Sequence, residues 1–144
     1  MLFYICSLNQ QNLLKAIQGN DAKKVKEVVS AMIFKQENYM VPLTQRGMSA
    51  LHMAAERGHL DMVKFLISTK VDINLKADSE WKKTPLHYAA ENGKEDIVEF
   101  LLKCDGINAK VIDLKTNLTA YELAVERYRW NVVKVFHSVY FPEK

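Results

Sequence analysis

The strongest constraint on this chain is that it repeats itself. The stretch Ser49-Ala50-Leu51-His52-Met53-Ala54-Ala55-Glu56-Arg57-Gly58 returns 35 residues on as Thr84-Pro85-Leu86-His87-Tyr88-Ala89-Ala90-Glu91-Asn92-Gly93. The match continues downstream, with Asp61-Met62-Val63-Lys64-Phe65-Leu66-Ile67 against Asp96-Ile97-Val98-Glu99-Phe100-Leu101-Leu102. A further step of 35 reaches Thr119-Ala120-Tyr121-Glu122-Leu123-Ala124-Val125, a degenerate copy with Tyr128 where glycine stood. Backwards, Leu13 to Ile17 and Val25, Val28 and Val29 fit at an offset of 38, with Asn20 at the glycine position. Self-similarity at this period means stacked units rather than one conventional core. The units run approximately 9–43, 44–78, 79–113 and 114–141, the first and last being divergent caps. A terminal unit has a neighbour on one side only, so its sequence is free to drift.

One unit shows the physics. Thr84 suits a helix N-cap, and Pro85 suits the first helical position, where no N–H is needed. Leu86, Ala89 and Ala90 form one apolar face, and the alanines allow close stacking. Gly93 fits the left-handed end of a short helix. Ile97, Val98, Leu101 and Leu102 make the apolar face of a second helix. Two helices this short cannot bury their faces alone, so stacked neighbours are required.

The segment Thr84-Pro85-Leu86-His87-Tyr88-Ala89 matches T-P-L-H-x-A, and Ser49 to Ala54 matches it with serine and alanine replacing threonine and proline. Gly58-His59 and Val71-Asp72-Ile73-Asn74 fit the same pattern. On these residues the chain resembles the ankyrin-repeat family, most closely over 45–113, less over 114–141, and least over 9–31. The resemblance implies an all-α repeat solenoid of stacked helix-turn-helix units with projecting hairpin-like loops. It also implies that His52 and His87 tie adjacent units through backbone hydrogen bonds. Here the spacings exceed the usual repeat of about 33 residues. The surplus lies in the connections Asn74 to Thr84 and Asn108 to Thr119, where insertion costs little. The segment 34–42 reads as a plain connector, with a specific contact loop as the alternative.

Composition removes whole classes. With 49% hydrophobic and 26% charged residues the chain is globular, not disordered. A net charge of +3, with lysines interleaved among carboxylates, gives no basis for nucleic-acid or membrane binding. Lys15, Lys23, Lys24 and Lys26 read as a solvated helix face, and Lys110, Lys115 and Lys134 extend no stripe. Cys6 and Cys104 form no disulfide framework and read as reduced thiols, so the expected location is intracellular and cytoplasmic. The start, Met1 to Cys6, lacks the basic region and long apolar core of a signal peptide and reads as a hydrophobic lid.

No catalytic, metal or cofactor motif emerges. His59 takes the family's Gly-His position, His137 has no evident partner, and no histidine pair has ligand spacing. Glu56 and Glu91 are repeat equivalents, as are Asp61 and Asp96, which suggests scaffold rather than a catalytic carboxylate pair. With five glycines there is no phosphate-cradling loop, and no nucleophile motif occurs. The chain is read as a non-enzyme with no small-molecule substrate.

The expected role is protein–protein interaction as an adaptor or inhibitor. The alternatives are a targeting module of a larger or secreted effector, or a spacer without its own partner. The resemblance places partner contacts on the hairpin tips and the exposed ends of the first helices. Those positions are Arg46, Met48, Glu56 and Arg57 in the second unit. In the third they are Glu80, Trp81, Lys83, Glu91 and Asn92. In the fourth they are Lys115, Thr116, Leu118, Glu126 and Arg127. Trp81 stands out, since tryptophan and arginine dominate binding hot spots, though it could instead fold back on its own loop. Met48 and Leu118 would add apolar patches. Trp130, with Tyr140 and Phe141, reads as an aromatic cap on the end of the stack, with a docking surface for a neighbouring domain as the alternative.

Overall fold

A computed structural model describes residues 7–141, so the lid expected at Met1 to Cys6 lies outside the described residues. Helices follow one another in antiparallel pairs: α1 (Leu8–Gln18) with α2 (Ala22–Phe34), α3 (Ala50–Arg57) with α4 (Leu60–Ser68), α5 (Pro85–Glu91) with α6 (Glu95–Leu102), and α7 (Ala120–Glu126) with α8 (Trp130–Val135). The last helix continues as a π-helical turn, Phe136–Tyr140. The helices α1, α3, α5 and α7 pack side by side as an inner row, and α2, α4, α6 and α8 as an outer row. Among the described residues there is no extended sheet, only an isolated bridge between Ile112 and Thr119. This is the all-α stack that the repeat demands.

The local chemistry repeats as well. At the start of α3 the Ser49 amide donates to His52 Nδ1 at 3.2 Å. At the start of α5 the Thr84 amide donates to His87 Nδ1 at the same 3.2 Å. With Nδ1 accepting, the imidazole proton sits on Nε2. It then reaches across to the next hairpin, at 2.7 Å from the Leu75 carbonyl for His52 and 3.2 Å from the Leu118 carbonyl for His87. One side chain therefore caps its own helix and fixes the following loop. In α7 the role is halved: Glu122 closes a capping box with Thr119 at 3.1 Å but reaches no further loop.

The turns between paired helices need a left-handed residue. Gly58 and Gly93 supply it at φ 82° and 72°, whereas Asn20 and Tyr128 adopt φ 53° and 57° in the flanking pairs. The residue after this turn reaches back over the preceding pair. Arg129 Nε donates to the Glu91 carbonyl at 2.9 Å, and the Lys94 stem lies over Gly58. His59 Nε2 is buried toward the Ile17 carbonyl without reaching hydrogen-bond geometry.

Hairpins project from the inner row. They close through Leu43 N to Met48 O at 2.8 Å, Ala77 N to Lys83 O at 2.7 Å and Asp113 N to Leu118 O at 3.0 Å. Neighbouring hairpins are joined by Asp78 N to Gly47 O and Leu114 N to Trp81 O, both 2.8 Å. The 34–42 segment is anchored, with Tyr39 Oη donating to the Thr69 carbonyl at 3.3 Å and Asn9 Nδ2 donating to Glu37 at 3.0 Å.

Candidate protein-binding face

The hairpin after α4, residues 75–84, is the centre of the candidate face. Its backbone is pinned to both neighbouring hairpins, which holds Trp81 half-buried in one orientation. Trp81 Nε1 donates to Glu80 Oε1 at 3.2 Å. The ring also carries two ammonium groups, Lys83 Nζ at 4.9 Å and Lys115 Nζ at 3.9 Å from its centroid. Such contacts strengthen as water is excluded. Trp81 is thus partly folded onto its own neighbourhood and partly open.

Beside it lies a hollow of about 390 Å³, lined by Gln45, Arg46, Ser79, Glu80, Trp81 and Tyr88. Arg46 forms one wall. Its guanidinium is 2.9 Å from Glu56 Oε2 and 5.8 Å from the Tyr88 ring centroid. Tyr88 is the buried floor, and burial raises its phenol pKa. On the far side of Trp81 a second hollow of about 280 Å³ is lined by Glu80, Trp81, Leu114 and Lys115.

The structure brings several expected residues together here: Arg46, Glu56, Glu80, Trp81 and Lys115. Lys83 is 4% exposed, so it is an internal strut and not a surface contact. Its Nζ lies 2.7 Å from Glu91 Oε2, while Arg127 holds the other oxygen at 3.0 Å. Burial this deep is tolerated because the ammonium is paired and flanked by ring faces. Asn92 donates to the Tyr88 carbonyl at 2.8 Å, finishing α5. Thr116 donates to Asp113, whose buried carboxylate organises the last hairpin. Burial pushes that carboxyl up, but the Thr116 hydroxyl and the Thr116 and Lys115 amides outweigh it and hold it below its ordinary pKa. Leu118 is half-buried, and Arg57 and Glu126 are exposed at the helix ends.

Two further expectations are corrected. Met48, expected on an apolar surface patch, is 2% exposed and belongs to the core. Its side chain faces inward, as does that of its repeat equivalent Lys83. The aromatic group expected around Trp130 divides in two. Tyr121, Phe136, His137, Tyr140 and Phe141 form the cap, with Phe136 fully buried and Tyr121 Oη 3.1 Å from His137 Nε2. Trp130 stands apart, 54% exposed, against the 75% exposed Tyr128. Tyr88, the floor of the hollow, is a functional candidate that sequence reasoning misses. The available signal is an aromatic ring where the neighbouring units carry Met53 and Leu123.

Elsewhere the lysines of the first unit face solvent, with Lys24 near Glu27 and Lys26 over the Phe65 ring. Cys104 donates to the Phe100 carbonyl, and burial raises its thiol pKa; Cys6 lies outside the described residues. Among the described residues no acidic, histidine or cysteine cluster is arranged for a metal ion, and no helix is long and apolar enough to cross a membrane.

A family model described as ankyrin repeats (3 copies) matches residues 2–113 and 70–137. The chain belongs to the ankyrin-repeat family, whose repeats mediate protein–protein interaction and whose members are typically non-enzymatic modules. No curated protein sequence matches the chain.

Proposed function

We propose that this protein binds a protein partner through its hairpin edge and inner-helix ends, acting as an adaptor or inhibitor. The observation that carries this reading is the hollow between the first and second hairpins, where Arg46, Trp81 and Tyr88 converge. Interface hot spots favour these residue types, set in a pocket and ringed by polar groups. Rigid hairpins lower the ordering cost of association, because the contact residues are already held in place. The paired charges Arg46–Glu56 and Lys83–Glu91–Arg127 fix that geometry.

The test is capture from a lysate on immobilised protein, with a Trp81→Ala, Arg46→Glu double variant alongside and circular dichroism confirming its fold. Retention by the parent and loss by the folded variant is the expected result. Equal retention by both would move the binding surface elsewhere, the exposed Tyr128–Trp130 pair being the next place to test.

A further inference from the structure

Resting on that reading, we propose that the hairpin edge takes an acidic segment of its protein partner, one that carries an apolar side chain. Charge is unevenly distributed over the molecule. The windows 40–49, 75–84 and 110–119 are repeat equivalents and contain the three hairpins. Their exposed or half-exposed cations are Arg46, Lys76, Lys82, Lys110 and Lys115, against two exposed carboxylates, Asp78 and Glu80. Lys83 and Asp113 are buried and bonded internally. The surplus of three positive charges on this edge equals the net +3 of the whole chain. The remaining residues sum to zero but unevenly, with +2 over residues 7–39 and −3 over residues 85–109, so the hairpins are the most basic part of the molecule rather than its one positive region.

The anionic groups nearby are already occupied. Glu80 accepts from Trp81 Nε1, and Asp78 lies 3.9 Å from Lys82 Nζ. Glu56 and Glu91, on the inner helices, are ion-paired. Lys115, in contrast, has no carboxylate within ion-pair distance among the described residues, and its ammonium sits over Trp81. It flanks one hollow while Arg46 flanks the other. A partner carboxylate at Lys115 gains a charge-assisted contact, and one at Arg46 shares the guanidinium with Glu56, 2.9 Å away. Between them, the hollow over Tyr88 has room for one apolar side chain.

Nucleic acid fits less well. Base stacking requires an open aromatic face, and the Trp81 ring already carries two ammonium groups. Glu80 would also face the phosphates.

The experiment uses the full chain with Trp130→Phe, leaving Trp81 as the tryptophan reporter. Trp81 emission is titrated with a blocked peptide of glutamates around a central leucine. Parallel titrations use its lysine counterpart and a short oligothymidylate. Saturable binding of the acidic peptide, weakened by salt, is expected, with no saturable response to the lysine peptide. Arg46→Gln with Lys115→Gln should weaken it about tenfold with an unchanged circular dichroism spectrum. Absence of binding, equal binding of the lysine peptide, tighter binding of the oligothymidylate, or indifference to the double substitution would each overturn the proposal. The same peptide is then added to a captured partner. A partner lost in the Trp81→Ala, Arg46→Glu variant yet not displaced by the peptide would leave the binding-face reading standing and remove only the acidic one.

Discussion

The central helix pairs, α3 to α6, and the flanking pairs solve the same packing problem with different chemistry. In the centre, glycines take the left-handed turns and histidines join each cap to the next hairpin. At the flanks, Asn20 and Tyr128 take those turns, and Glu122 caps without reaching onward. The difference shows what stacking demands. A unit between two neighbours must satisfy contacts on both sides, while an end unit answers to one side and tolerates local strain.

The sharpest way to break the central arrangement is at a hairpin junction. Gly47 has φ 69°, and a Cβ there would lie 2.0 Å from the Asp78 carbonyl oxygen. Gly47→Ala should therefore destabilise by about 3 kcal/mol or more, read as a lower urea midpoint. Gly106 is the control, with φ 83° and open space around its Cβ position. Gly106→Ala should cost about 1 kcal/mol, from the backbone conformation alone. Equal losses at the two positions would refute the junction clash.

The histidine ties predict a pH dependence. Burial lowers the His52 pKa to about 4, and burial also lowers that of His87. Since these folded values lie below the unfolded one near 6.5, protonation favours the unfolded chain. The stability they contribute is present above pH ~6.5 and is lost as pH falls toward ~4, on the order of 3 kcal/mol for His52. Urea denaturation across this range should show the decline, and His52→Gln should flatten it. Glu122→Ala, at the flank, should cost only about 1 kcal/mol.

The smallest effects test the strain assigned to the flanks. Tyr128→Gly should stabilise by about 0.5 kcal/mol, relief of the left-handed conformation outweighing glycine's extra chain entropy. Asn20→Gly should change stability by a few tenths of a kcal/mol, because asparagine tolerates this conformation well. A clear loss in thermal midpoint for Tyr128→Gly would mean that the Tyr128–Trp130 contact matters more than the strain.

Most of the fold was legible because its determinants are local and recur. The Thr84-Pro85 start, the alanine face and the turn glycines can all be read within a single unit, whereas the histidine ties came from the family resemblance and their Nδ1 caps from the structure. The site was less legible. Arg46, Trp81 and Lys115 could be placed on hairpins from the repeat together with the family resemblance, but which of their neighbours are buried could not. Met48, Lys83 and Leu118 share one repeat position, yet they differ in polarity while Met48 and Lys83 are both hidden. Their surroundings are built by the adjacent hairpin and by α5, which a period of 35 residues does not describe.

The number and direction of the helices are already written in the sequence, because apolar spacing and caps act within a few residues. Three-dimensional packing was needed to make Tyr88 the floor of a hollow, to let Glu91 hold both Lys83 and Arg127, and to separate Trp130 from the Phe136 cluster. Each of these depends on side chains from different units or elements meeting at distances of a few ångströms. Stacking sets those distances; the repeat pattern sets only which residues are available to meet.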